Sequence, residues 1–246
     1  MQVSIFGLGY VGAVTAACLA DKGHGVIGAD VQQAKVDAFN AGESPIVEPG
    51  LDALMQAARQ GGRLRATTDV AEAVSESEVS IVCVGTPSLE SGRLNLDFVR
   101  KVSQQLVDAV KEKDGAHTII FRSTMLPGST RTMVHDFFQP LLDAGLVTIY
   151  YCPEFLREGT AVRDFREPSL CVVGTHDGGP PTGTEPFELL GENARSSHGK
   201  GRRPSSTPAT TSTRSRWGLP MRLAASASTW PWTVPASWMW SAGMRS

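Results

Sequence analysis

A doubly wound α/β fold is predicted for this chain of 246 residues on three observations. Apolar strand-like runs alternate with helix-like runs from the first residues onward, the pattern of a parallel sheet covered on both faces. The first strand runs straight into Gly7-Leu-Gly9-Tyr-Val-Gly12, a G-x-G-x-x-G turn leading into a helix. The second strand, Gly25–Ala29, ends in Asp30, about 20 residues beyond the turn. Together these describe a Rossmann-type sheet built to hold a dinucleotide. Gly7 permits the tight turn, Gly9 lets the backbone approach a pyrophosphate, and Gly12 lets helix and strand pack closely. The helix N-terminus offers free N–H groups and a positive dipole end to the anion. A carboxylate at Asp30 accepts hydrogen bonds from the ribose hydroxyls and repels a 2′-phosphate, which favours NAD over NADP. A glycine turn alone is a weak sign, and a purely structural turn is the alternative. The flanking strand, helix and acid favour the cofactor.

The remaining elements follow in order. Val11 to Lys22 reads as a helix of small residues, suited to lying close against a sheet, and Ala34 to Asn40 as a second, short one. Glu43-Ser-Pro-Ile-Val-Glu-Pro-Gly50 is a proline-punctuated loop, followed by a helix from Leu51 to Gln60. Arg63 to Thr67 is a short strand, and Asp69 is placed to cap a helix through Val74. Val79 to Val84 is an apolar run bounded by Gly85-Thr-Pro87, as expected of a buried parallel strand. Leu96 to Lys111 has helical spacing, Thr118 to Phe121 is a strand, and a helix runs through Leu142. Thr148 to Tyr151 and Leu170 to Val173 read as the last two strands.

The net charge of −2 names neither nucleic acid nor a membrane surface as a main partner. Yet every one of the 25 acids lies in residues 1–195, whereas residues 196–246 carry seven Lys and Arg and no acid. Cys18, Cys83, Cys152 and Cys171 show no C-x-x-C spacing for zinc or a redox pair, so no metal is expected. All but Cys152 lie in apolar stretches, the usual setting of buried free thiols in a reducing compartment. The first strand starts at residue 2, leaving no room for a signal peptide, and no apolar run reaches spanning length. The cytoplasm is the expected location.

In a sheet of this kind, ligands sit beyond the carboxyl ends of the strands. The loops expected there are 7–12, Asp30, 85–88, 122–128 and 152–159. Their wording resembles the nucleotide-sugar 6-dehydrogenases, the family of UDP-glucose and GDP-mannose dehydrogenases. The resemblance rests on Ile5 to Gly12, Ser44-Pro-Ile-Val-Glu-Pro-Gly-Leu51, Val82-Cys-Val-Gly-Thr-Pro87, Arg122-Ser-Thr124 with Pro127-Gly128, and Pro153-Glu-Phe-Leu-Arg-Glu-Gly-Thr160. It covers about residues 1–195, and the Ser44–Leu51 wording is closer to the GDP-mannose enzymes.

The resemblance implies that Tyr10, Val11, Asp30, Lys35, Thr86, Thr124 and Glu158 contact NAD, with a solvated surface lysine the alternative for Lys35. Phe155, Leu156 and Arg157 would line the sugar-nucleotide site, and Glu154 and Thr124 would position water and proton transfers at the reacting carbon. A capping carboxylate is the alternative for Glu154. Cys152 stands where the family usually has Asn. The implied reaction is oxidation of the sugar's C6 alcohol to a carboxylate with two NAD, GDP-mannose to GDP-mannuronate or the UDP-glucose equivalent, a step of polysaccharide biosynthesis. The family uses a cysteine that forms a thiohemiacetal and then a thioester, with a lysine and an asparagine stabilising the oxyanion. Those residues belong to segments expected after residue 195 and are absent from this chain, as is the helix that supports the family's homodimer. The expected product is an NAD-binding chain without turnover, prone to aggregation through apolar surface left uncovered.

After Arg195 the composition breaks. Residues 196–246 hold all five Trp, eleven Ser and six Thr, with no Ile and no acid. No helical or alternating period survives, and the composition predicts disorder. Trp and Met each have one codon, which permits a test on Trp230 to Trp240. Read one base earlier, Trp230's last G with proline's CC gives Ala, and Trp232's with threonine's AC gives Asp. Trp238's G with Met239's AU gives Asp, and Met239's G with UG gives Val. The shifted frame can spell Leu-Ala-Val-Asp-Gly-Ala-Arg-Val-Met-Asp-Val, which resembles the family's central helical region. Leu219–Arg222 can likewise contain Ala-Asn-Glu. The reading is a frameshift near Arg195, which divides the chain into a dehydrogenase domain, 1–195, and a non-family tail, 196–246. A genuine basic, Trp-bearing tail for nucleic acid or anionic membrane is the alternative, but its Trp and Arg do not interleave.

Overall fold

The computed structural model describes residues 1–126, 128–176 and 181–191. The readings for the tail, and the Pro127 position, lie outside them.

Val3 and Ile5 face one side of strand β1 (Gln2–Phe6), and Ser4 and Phe6 the other. The turn of glycines leads to α1 (Tyr10–Asp21), then β2 (Gly25–Ala29), α2 (Gln33–Ala41) and α3 (Leu51–Gln60). There follow β3 (Leu64–Thr67), α4 (Val70–Ser75), β4 (Val79–Val82), α5 (Asp97–Lys111) and β5 (His117–Phe121). A helical run then comprises α6 (Ser129–Met133), a π-helical stretch (Val134–Phe138) and α7 (Gln139–Asp143). β6 (Val147–Tyr151), α8 (Ala161–Arg166), β7 (Gly174–Thr175) and α9 (Glu185–Leu190) complete the order.

The sheet runs β3-β2-β1-β4-β5-β6-β7, with every pair parallel except the last. The strand order reverses direction between β1 and β4, the switch point at which such sheets bind their ligands. Two cores sandwich the sheet. On one face α1, α3 and α8 pack Ala13, Ala16, Ala17, Met55 and Phe165 over Val3, Ile5 and Ile81. On the other, α4, α5 and the run from α6 to α7 pack Val74, Leu106, Val110 and Phe138 over Phe6, Val82 and Phe121. The doubly wound Rossmann-type fold expected of the sequence is the fold observed.

One expected strand differs in the structure. Leu170–Val173 is not a strand; β7 is only Gly174–Thr175, antiparallel to Tyr151 and Tyr150. Continuing that register would set Val172 opposite Pro153, which has no N–H for a ladder. Leu170 and Val172 are instead left 46% and 41% exposed. The short helices α8 and α9 carry no periodic pattern long enough to read. The π-helical stretch precedes Pro140, which has no N–H to give the carbonyl four residues back.

Candidate cofactor site and adjoining cavity

The three fingerprint glycines play different parts. Gly7 has φ +95°, and a Cβ there would lie 3.0 Å from the Val84 backbone. A Cβ on Gly12 would lie 1.9 Å from the Gly7 carbonyl oxygen. Both glycines are therefore required by the fold. Gly9 is not: its backbone is extended, and no atom of the described residues lies within 4 Å of where its Cβ would stand. The space beside Gly9 is left open at the start of α1. That helix has no side-chain cap and no acid in its first turn, so its leading N–H groups and dipole face the opening uncompensated. These features fit a dinucleotide pyrophosphate. Val11 stands in the same first turn, partly exposed.

Asp30 lies immediately after β2 and its side chain is 7% exposed. One carboxylate oxygen accepts the Leu8 N–H at 2.8 Å, and the other accepts the Gln32 N–H at 3.0 Å. Lys35 Nζ stands 3.5 Å from it. The carboxylate thus joins the glycine turn to the start of α2 and retains lone pairs for a ribose. Across the switch point, the Thr86 hydroxyl donates to the Thr124 carbonyl at 2.8 Å, and the Ser123 hydroxyl to the Val84 carbonyl at 2.6 Å. The loops after β4 and β5 are so held side by side, with Thr86 half-buried and Thr124 exposed.

The loop after β6 carries the rest. Glu154 accepts the Leu156 N–H at 2.7 Å, so one carboxylate oxygen shapes its own loop. Arg157 is exposed and clamped by Asp164, Nε to Oδ2 at 2.9 Å and Nη2 to Oδ1 at 2.7 Å. That pairing holds the Asp164 carboxyl well below the usual range. Glu158 is exposed. Phe155, Leu156 and Arg157 line a cavity of about 410 Å³ with Arg122, Cys152 and Cys171. The structure thus places the expected residues in two groups. Gly7, Gly9, Tyr10, Val11, Gly12, Asp30 and Lys35 lie around the first turn, whereas Phe155, Leu156 and Arg157 open on the cavity. Glu154 and Thr124 do not line that cavity.

Glu48 links the groups, and sequence reasoning missed it. It is 6% exposed. One carboxylate oxygen accepts the Tyr10 hydroxyl at 2.5 Å and the Gly159 N–H at 2.8 Å; the other accepts the Ala161 N–H at 2.8 Å. Burial disfavours its charge, but these donors and the Val162 N–H outweigh burial and hold the carboxyl below its usual range. Burial and the neighbouring carboxylate push the Tyr10 phenol well up. The signal available was one acid between two prolines in the Ser44–Leu51 run, with nothing to say what it met. Among the described residues no cluster of His, Cys, Asp and Glu could hold a metal ion, and no helix is long and apolar enough to cross a membrane.

Comparison with known proteins agrees with this geometry. Residues 1–182 match the model of the UDP-glucose/GDP-mannose dehydrogenase family, NAD binding domain. The chain is 48% identical over 183 residues to the GDP-mannose 6-dehydrogenase of Pseudomonas aeruginosa, covering 72% of this chain and 41% of that protein. It is 36% identical over 198 residues to a UDP-glucose 6-dehydrogenase of Haloferax volcanii, covering 79% and 46%. A crystal structure of a ternary complex of the Pseudomonas aeruginosa GDP-mannose dehydrogenase superposes with a TM-score of 0.68 at 44% identity, over 78% of this chain and 44% of that one. A UDP-glucose dehydrogenase from Pyrobaculum islandicum gives a TM-score of 0.68 at 32% identity, over 77% and 42%. The chain spans about two fifths of the length of the curated relatives it matches.

Proposed function

The chain belongs to the UDP-glucose/GDP-mannose dehydrogenase family, with NAD as its cofactor, and from that premise we propose that it carries the cofactor half of a GDP-mannose 6-dehydrogenase. The observation that carries this reading is the open space at Gly9, which the fold leaves free and the pyrophosphate of NAD would fill. When bound, NAD supplies the hydride acceptor for oxidation of a nucleotide-sugar C6 alcohol to the carboxylate. The leading N–H groups of α1 hold the pyrophosphate, and Asp30 accepts from the adenosine ribose with Lys35 beside it. Tyr10, Val11, Thr86, Thr124 and Glu158 complete the cofactor contacts. Glu154 and Thr124 hold water and move protons at the reacting carbon, and Phe155, Leu156 and Arg157 line the sugar-nucleotide side. GDP-mannose is preferred over UDP-glucose because the GDP-mannose relatives are the more similar, 48% against 36%.

The domain division proposed is 1–195 for the cofactor unit and 196–246 for a frameshifted tail. The 246-residue chain then binds NAD without turnover, since it carries no family thiol, lysine or asparagine for the acyl steps; a non-catalytic NAD-binding remnant is the same chain seen without its continuation. The test is calorimetric titration with NAD, followed by an assay for NADH with GDP-mannose and with UDP-glucose. Saturable NAD binding with no NADH is expected. Absence of NAD binding would overturn the cofactor assignments, and NADH production would overturn the predicted lack of turnover.

A further inference from the structure

Two thiols from separate stretches of the chain line the same cavity. Cys152 begins the loop after β6, and Cys171 lies three residues before β7. Tyr151 pairs with Gly174 in the antiparallel ladder of β6 and β7, so Cys152, just after β6, and Cys171, just before β7, stand at the same end of that ladder. The two thiols hydrogen-bond to each other, and both line the cavity. Cys152 is 2% exposed, while Cys171 is half-buried and opens to the space. Arg122 completes the cluster. Arg122 is 5% exposed; its guanidinium hydrogen-bonds the Cys152 sulfur and stands 5.8 Å over the Phe165 ring, and its Nε has no partner among the described residues. Such a cation favours thiolate, the form that reacts.

We propose that Cys152 and Cys171 are an oxidisable dithiol, a modification site for peroxide, whose disulfide ties the Glu154 loop to the segment entering β7. Cys171 is the attacking sulfur: it is the more accessible, and the hydrogen bond between the two lowers its pKa, while that bond first and burial second raise that of Cys152. The Cys171 thiolate attacks one peroxide oxygen and the O–O bond breaks, releasing hydroxide that takes up a proton to leave as water. The Cys152 sulfur then displaces the sulfenic oxygen of Cys171. An S–S bond forms, the S–O bond breaks, and the Cys152 proton leaves with that oxygen as a second water. Two electrons pass from the thiol pair to the peroxide. Because Cys152 is two residues from Glu154, the bond fixes the loop that presents this carboxylate and narrows the cavity mouth.

The test uses the full 246-residue chain and needs no turnover, so it stands apart from the proposed activity. Trypsin places the four cysteines in four separate peptides, with Cys152 in 132–157 and Cys171 in 167–195. The protein is treated with hydrogen peroxide, alkylated and digested without reductant. The expected result is a single cross-linked pair, 132–157 with 167–195, reversed by reductant and several-fold more abundant than after the same treatment in urea. Cys152→Ser should leave Cys171 as a sulfenic acid that a dimedone probe labels, and Cys171→Ser should leave Cys152 alkylated as a free thiol. Pairing no more selective than in urea, bonds to Cys18 or Cys83, or a Cys171 that is oxidised past sulfenic acid while Cys152 stays free would each overturn the proposal.

Discussion

Alanine at Gly9 and alanine at Gly12 separate the demands of a ligand from those of the fold. Gly12→Ala drives a methyl to 1.9 Å from the Gly7 carbonyl oxygen, and overpacking of this kind costs about 1–3 kcal/mol or more. Thermal unfolding should show it directly. Gly9→Ala meets no atom of the described residues within 4 Å, so stability should move by no more than about 0.5 kcal/mol. NAD affinity should nevertheless fall by about tenfold or more, on the order of 1.4 kcal/mol. An unchanged titration would remove Gly9 from the site. Glu48→Gln keeps the size of the side chain but turns an amide NH₂ toward donors. One of the Gly159 or Ala161 N–H groups loses its acceptor, a cost of about 1–3 kcal/mol. Denaturant unfolding of Glu48→Gln beside Tyr10→Phe checks this, with the glutamine variant expected to be the weaker because the tyrosine supplies only one of the donors. Gly7, Gly12 and Asp30 were legible because each serves a turn or strand end within its own stretch of chain. Glu48 was not, because its partners lie 38, 111 and 113 residues away and no local pattern encodes them.

At the scale of elements, β1, β4 and β5 share a buried chain of hydroxyls that ends in His117. Ser77 donates to the Ala73 carbonyl at 2.7 Å and lies 2.9 Å from Ser4; Ser4 and Ser80 are 2.8 Å apart, and Ser80 is 2.7 Å from His117 Nε2. Lys113 Nζ reaches His117 Nδ1 at 3.0 Å. With the ammonium donating to Nδ1, the ring must be neutral and carry its proton on Nε2. Burial first, and Lys113 second, push the His117 pKa down to about 4. The unfolded ring takes up its proton below about 6.5, whereas the folded ring stays neutral until about 4. Stability from this group is therefore fully present above pH 6.5 and is lost as the pH falls toward 4. The loss is on the order of 3 kcal/mol. Urea midpoints measured across that window should fall toward acid in the native chain and fall less in His117→Asn. The strands and α5 were legible from their periods, and the Asp69 cap from its residue type, its side chain accepting from Ala71 and Glu72. The β7 placement was not, because an apolar run says nothing of the proline it would have to face.

For the whole molecule, the described surface is uneven around the cavity. Phe155 and Leu170, which line it, are each 46% exposed, and Val172 and Phe187 are each 41% exposed; exposed apolar surface, where contiguous, favours association. The 246-residue protein is expected to self-associate, and light scattering should show larger species that Phe155→Ser with Phe187→Ser reduces. Resequencing the codons for Gly191 to Gly201 decides whether the frame breaks there. An added or missing base would return the acids that the last 51 residues lack as written.

The brevity of β7 has one more consequence. It pairs with Tyr150 and Tyr151 alone, so along Val147 to Ile149 the outer rim of the sheet has no strand partner among the described residues. Outward amide and carbonyl groups in a β-rich Val-Thr-Ile run are a template for another extended chain. Association that starts there would be in-register and fibrillar, and a lysine introduced at Thr148 would be expected to suppress it.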